Sequence, residues 1–134
     1  MKMIDEPYQN VKHPPEVVAA KDLIKRLRAT TEPGEPVYVS APMTDTPDDN
    51  VPWFRDVTDM LREEGFVVIS PLELDEDDPK PDYKSTLERD IEVIIETGAH
   101  GVVHPYYDDS FGCGCEINQF LVQGSRVFIV EDMA

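Results

Sequence analysis

Four short apolar runs separated by three helical patterns predict an α/β fold with a mainly parallel sheet of four to five strands and helices on both faces. Three observations carry this. The runs are four or five residues long and end in turn residues, the stretches between them repeat apolar residues at helical spacing, and the two kinds of segment alternate strictly from residue 37 onward.

The first strand is Val37 to Ala41, ending in the turn Ser40-Ala41-Pro42-Met43-Thr44. An acidic loop leads to a helix from Val51 to Glu64, with Trp53, Val57, Met60 and Leu61 on one face and Gly65 as its stop. Phe66 to Ser70 is the second strand, closed by Pro71, and the Asp- and Pro-rich stretch Glu73 to Asp82 reads as a polar loop. A helix from Tyr83 to Glu96 buries Leu87, Ile91, Ile94 and Ile95. Strand three is Gly101 to His104, the last helix Cys115 to Gln123, and strand four Arg126 to Val130. Upstream, Val17, Ala20, Ile24 and Leu27 recur at helical spacing, and Thr31 to Pro36 breaks the pattern as a linker. The expected organisation is therefore an N-terminal helical arm and linker over 1–35 and one α/β domain over 36–134.

Bulk properties limit the function. The 134 residues suffice for one domain, and 40% apolar with 30% charged residues is the balance of a soluble protein. No apolar run is long enough to span a bilayer, so no membrane partner is expected. Met1 to Asn10 mixes Lys2, Asp5, Glu6 and Tyr8, unlike a signal peptide, and the expected location is the cytoplasm. The net charge of −16, from 28 acids and 12 bases, repels a nucleic-acid polymer. Cys113 and Cys115 are too close for an easy disulfide and too few for a zinc site, and read as reduced thiols. His100 and His104 stand too far apart on an extended segment to share a metal readily. No metal and no cofactor is expected.

In parallel sheets, ligands bind outside the carboxyl ends of the strands. Two acids near that rim stand out. Asp90 falls inside the apolar stripe of its helix, three residues after Leu87 and four before Ile94. Burial there raises a carboxyl pKa and suits a general acid; the alternative is an aspartate that pairs with Arg89 or Arg126. Glu116 follows Gly112-Cys113-Gly114-Cys115 and is expected in the first turn of its helix, where the dipole lowers its pKa, unless it is an ordinary helix-start acid. Two carboxyls with pKa values pushed apart suit cleavage of a glycosidic bond, one attacking the anomeric carbon while the other protonates the departing group. Asp109, seven residues before Glu116, can assist either role. The Gly112 to Gly114 amides with the Ser110 hydroxyl offer a phosphate cradle, although no Lys or Arg lies nearby. Tyr106 and Tyr107 either stack on a base or cover the sheet end.

The segments Val37-Tyr38-Val39-Ser40-Ala41-Pro42-Met43-Thr44, Asn50-Val51-Pro52-Trp53-Phe54, Leu87-Glu88-Arg89-Asp90 and Ser110-Phe111-Gly112-Cys113-Gly114-Cys115-Glu116 resemble, in this order, the nucleoside 2-deoxyribosyltransferase superfamily, especially its small phage and bacterial branch. The resemblance covers residues 36–131. It implies a flavodoxin-like three-layer sandwich and a covalent glycosyl-enzyme on Glu116. It also implies that Asp90 contacts the base and takes part in proton transfer, that Tyr38 stands near the nucleophile, and that Ser40, Ala41, Pro42 and Met43 line the pocket with Gly112 and Gly114. In the related deoxynucleoside 5′-monophosphate N-hydrolases, a serine at the position of Ser110 holds phosphate. This chain has Ala41 where the branch usually has Gly, no Arg in its first turn, and Ser110 where the nucleoside transferases often have Asp. The implied partner is a small nucleoside or nucleotide, and the implied assembly a homo-oligomer. The competing expectation is a catalytically silent nucleotide-binding or sensing module of the same fold.

Overall fold

A computed structural model describes residues 11–43 and 47–132 of the chain. Residues 1–10, read above as unlike a signal peptide, and Thr44 of the first turn lie outside the described residues. Five strands form one all-parallel sheet: β1 (Glu16–Val18), β2 (Val37–Ser40), β3 (Val68–Ile69), β4 (His100–Val103) and β5 (Val127–Val130), in the order β1-β5-β4-β2-β3. The helices are α1 (Ala20–Thr30), α2 (Val51–Glu63), α3 (Pro71–Asp77), α4 (Tyr83–Thr97) and α5 (Phe111–Val122). The architecture is α/β, a flavodoxin-like three-layer sandwich.

Strand alternation builds the layers. Val37 and Val39 point into one core with Leu23 and Leu27 of α1 and Phe54, Val57 and Leu61 of α2. Tyr38 points to the other face, into a core with Ile94 of α4 and Ile117 and Phe120 of α5. At Gly101 of β4, an added Cβ would stand 2.5 Å from the Phe120 ring, so only glycine lets α5 pack this closely on the sheet.

Four expectations need correction. The segment read as an arm is part of the sheet: β1 pairs in parallel with β5, and Leu23 and Leu27 are fully buried. Val17, assigned to the helical stripe, lies in β1, while Leu23 completes the buried face of α1. The loop expected from Glu73 begins instead as a helix, α3, with Pro71 in its first turn. Its acids hide the helical pattern, but two ion pairs hold it down, Arg62 with Glu73 at 2.6 Å and Arg89 with Asp75 at 2.6 Å. Ile95, expected to be buried, is 55% exposed near the end of α4.

Candidate active site

The order of the sheet reverses around β2. The chain leaves β2 outward to β3 and returns past it to β4, so the crevice outside the carboxyl ends of β2 and β4 is the switch point where α/β sheets take ligands. A cleft of about 190 Å³ lies there. Ala41 and Met43 after β2, Pro71 after β3, and Ser110 and Gly112 after β4 form parts of its wall. Asp75 of α3, Asp90 of α4 and Glu116 of α5 bring three carboxyls to it.

Glu116 is held from beneath. Tyr38 and Ser40 are two apart on β2, so both face α5, and both are fully buried. The Tyr38 hydroxyl donates to Glu116 Oε2 at 2.5 Å and the Ser40 hydroxyl to Oε1 at 2.7 Å. Cys113 Sγ lies 3.4 Å from Ser40 Oγ, and burial with the nearby Glu116 charge pushes its thiol up to about 12. That thiol is filler beside the carboxylate rather than a nucleophile.

The electrostatics of Glu116 differ from the sequence expectation. Helix α5 begins at Phe111, four residues earlier than expected, so Glu116 stands in the second turn rather than at the dipole's end. Burial dominates and raises its pKa to about 7, against the two hydroxyl donors that lower it; the Asp90 charge raises it further. Asp90 is 6% exposed, as its place in the stripe predicts, and its pKa is raised by burial against the opposing Arg89 guanidinium. The same burial and the Glu116 and Asp90 charges push the Tyr38 phenol well up, so it remains a neutral donor.

Other predicted positions divide. Ala41, Met43, Ser110 and Gly112 line the cleft, whereas Pro42, Asp109 and Gly114 are not among its lining residues. Pro42 is buried in the turn, its carbonyl accepting from Asn50 Nδ2 at 2.5 Å. Asp109 is exposed. Gly114 needs no close approach, because an added Cβ would meet nothing within 4 Å. The expected cradle is partly spent: Ser110 Oγ caps α5 by accepting from the Cys113 amide at 3.2 Å, and a Cβ on Gly112 would stand 2.7 Å from the Tyr83 hydroxyl. Tyr107 is buried, Tyr106 is 57% exposed and lies against His104 with ring centroids 5.5 Å apart, and neither is among the residues lining the cleft. The histidines serve the framework, His100 Nδ1 accepting from the Arg126 amide at 2.9 Å and His104 Nδ1 from the Tyr106 amide at 3.1 Å.

Sequence reasoning did not assign Asp75, Tyr83 or Thr86 to the cleft, and all three line it. Asp75 went unseen with α3. Tyr83 and Thr86 stand two turns and one turn before Asp90 on the same helix, so their spacing could have placed them beside it.

The model of DUF4406, a domain of unknown function, matches residues 35–129. No curated protein and no solved structure matches the chain.

Proposed function

The chain belongs to the DUF4406 family, and we propose that it cleaves or transfers at the N-glycosidic bond of a 2′-deoxynucleoside or its 5′-monophosphate, through a covalent glycosyl-Glu116 intermediate. The observation that carries the reading is the buried Glu116 carboxyl, gripped by Tyr38 and Ser40 and sharing one cleft with Asp90. A carboxylate held by two donors at its oxygens is oriented for attack on a single carbon.

Ionised Glu116 attacks the anomeric carbon. The bond to the base nitrogen breaks and its electron pair leaves with the base, which gains a proton with Asp90 taking part in the transfer. Water, or a second base, then attacks the same carbon and releases Glu116. Hydrolysis and transfer differ only in this second step. The motif order that resembles the nucleoside 2-deoxyribosyltransferases supports the same chemistry. Among the described lining residues there are three acids and neither Lys nor Arg, which favours an uncharged nucleoside over its 5′-monophosphate.

The test is incubation with deoxynucleosides and deoxynucleoside 5′-monophosphates, with and without a second free base, following released or exchanged base. Intact-mass measurement on stalled reactions follows the glycosyl adduct. Base release lost in Glu116→Ala supports the reading. Saturable binding with no turnover, unchanged by Glu116→Gln apart from affinity, points instead to the silent binding module.

No described helix is long and apolar enough to cross a membrane. A cytoplasmic, homo-oligomeric state is part of the proposal. Phe111, 76% exposed, and Val122, 72% exposed, both on α5, support self-association, which light scattering on the purified chain measures.

A further inference from the structure

Arg89 is adjacent to Asp90 on α4, yet its side chain folds back over its neighbour and is itself buried, 9% exposed. Its Nε and Nη2 donate to Asp90 Oδ1 at 3.0 and 2.7 Å. Nη2 also donates to Asp75 Oδ1 at 2.6 Å, and Nη1 donates to the Asp78 carbonyl at 3.0 Å. One guanidinium thus ties the cleft wall α3 to the carboxyl of α4. Both of its bonds to Asp90 fall on a single oxygen, Oδ1, and Asp90 itself lines the cleft.

We propose that Arg89 is a positioning residue for N-glycosidic chemistry: its fork fixes the orientation of Asp90 toward the leaving base and locks α3 against that carboxyl. The proposal rests on the function proposed above. A planar, permanently charged guanidinium suits this task, because two of its N–H groups converge on Asp90 Oδ1 and fix that oxygen while Nη2 and Nη1 hold α3, a set of directions that an ammonium does not offer. The charged and titratable groups facing Asp90 are Arg89 from its own helix, Asp75 from α3, Tyr38 from β2 and Glu116 from α5. Arg89 is the one cation among them. Without it, only the Tyr38 hydroxyl opposes the burial and the neighbouring Asp75 charge that raise the Asp90 pKa.

The experiment uses the full chain and three variants, Arg89→Met, Arg89→Lys and Asp75→Asn. The readouts are kcat and KM for a substrate that the wild type cleaves, the pH profile of kcat, and the carbon-13 titration of the Asp90 carboxyl. The expected result is a kcat about 100-fold lower in Arg89→Met with KM changed far less. Its pH profile shifts as the Asp90 midpoint rises by about one unit. Arg89→Lys recovers the midpoint but only part of kcat. Asp75→Asn loses kcat in the same direction by a smaller factor and covers the case in which Arg89→Met does not fold. A kcat within twofold of wild type in the folded variants, with an unmoved pH profile, overturns the proposal even if the melting temperature falls. If the wild type cleaves no nucleoside or nucleotide, the proposed function fails separately. The carboxyl titration then decides for Arg89, and an unmoved Asp90 midpoint overturns the proposal.

Discussion

Tyr38 and Glu116 are 78 positions apart in sequence and share a buried hydrogen bond of 2.5 Å, the hydroxyl donating to Oε2. The bond joins the second strand to the last helix at the carboxyl edge of the sheet. It places a neutral donor against a carboxylate that burial would otherwise protonate. The balance between that burial and its two donors sets the pH at which the Glu116 anion forms.

Burial raises the Glu116 carboxyl to about 7, and the proposed attack requires its anion. The rate of base release is therefore expected to rise tenfold per pH unit up to about 7, and to fall again at higher pH where Asp90 gives up the proton it transfers. Stability moves the other way. A carboxyl whose folded pKa lies above its unfolded value of 4.5 contributes stability in full below that unfolded value, and loses it as pH rises through the folded one. The shift corresponds to about 3 kcal/mol. Glu116→Gln keeps an acceptor for Tyr38 or Ser40 and carries no charge, so it is expected to stabilise the fold at pH 8 and to change little at pH 4. Urea melts at the two pH values measure this. Equal effects at both would contradict the buried-charge account.

Tyr38→Phe removes one hydroxyl and leaves the ring in the core beside Phe120, whose centroid is 6.0 Å away. Loss of the donor is expected to raise the Glu116 pKa, moving the acid limb of the rate profile to higher pH. kcat is expected to fall about 10- to 100-fold at pH 7. The check is the pH profile itself. A uniform loss with the limb unmoved would assign Tyr38 to packing alone.

Four of the five strands and both candidate carboxyls are legible because apolar periodicity is local, whereas β1, only three residues long, is hidden in the helical pattern before it joins β5. Asp90 stands out as an acid in an apolar stripe, and period two along Val37 to Ser40 already puts Tyr38 and Ser40 on one face. What escaped was set by distant partners. Helix α3 reads as a loop because Glu73 to Asp78 is acidic and polar, and its anchors, Arg62 and Arg89, lie 11 and 14 residues away from Glu73 and Asp75. The Glu116 pKa is raised where the helix-start reading predicts that it is lowered. The glycines before it looked like a turn, but they continue α5, and burial against β2 outweighs the dipole.

Gly101→Ala tests the packing of α5 on the sheet. The new methyl would stand 2.5 Å from the Phe120 ring, which is fully buried and has no open side to move into. Overpacking of this kind is expected to cost about 1 to 3 kcal/mol. Pairing it with Phe120→Leu gives a double variant less destabilised than the sum of the two single changes, measured by denaturant melts.

Leu27→Ala tests whether the segment before residue 36 belongs to the fold. Leu27 has no exposed surface and packs in the core with Phe54, Val57 and Leu61 of α2 and Val39 of β2. The strand preceding its helix pairs with β5 over Glu16, Val17 and Val18, so β5 is an interior strand. A detached arm would lose almost nothing on truncation of one leucine. An integral helix is expected to lose about 2 to 5 kcal/mol, with one cooperative transition rather than two. Global denaturant melts followed by far-ultraviolet dichroism and by Trp53 fluorescence separate these outcomes, because Trp53 sits in the same core and reports on the same transition only if α1 unfolds with the sheet.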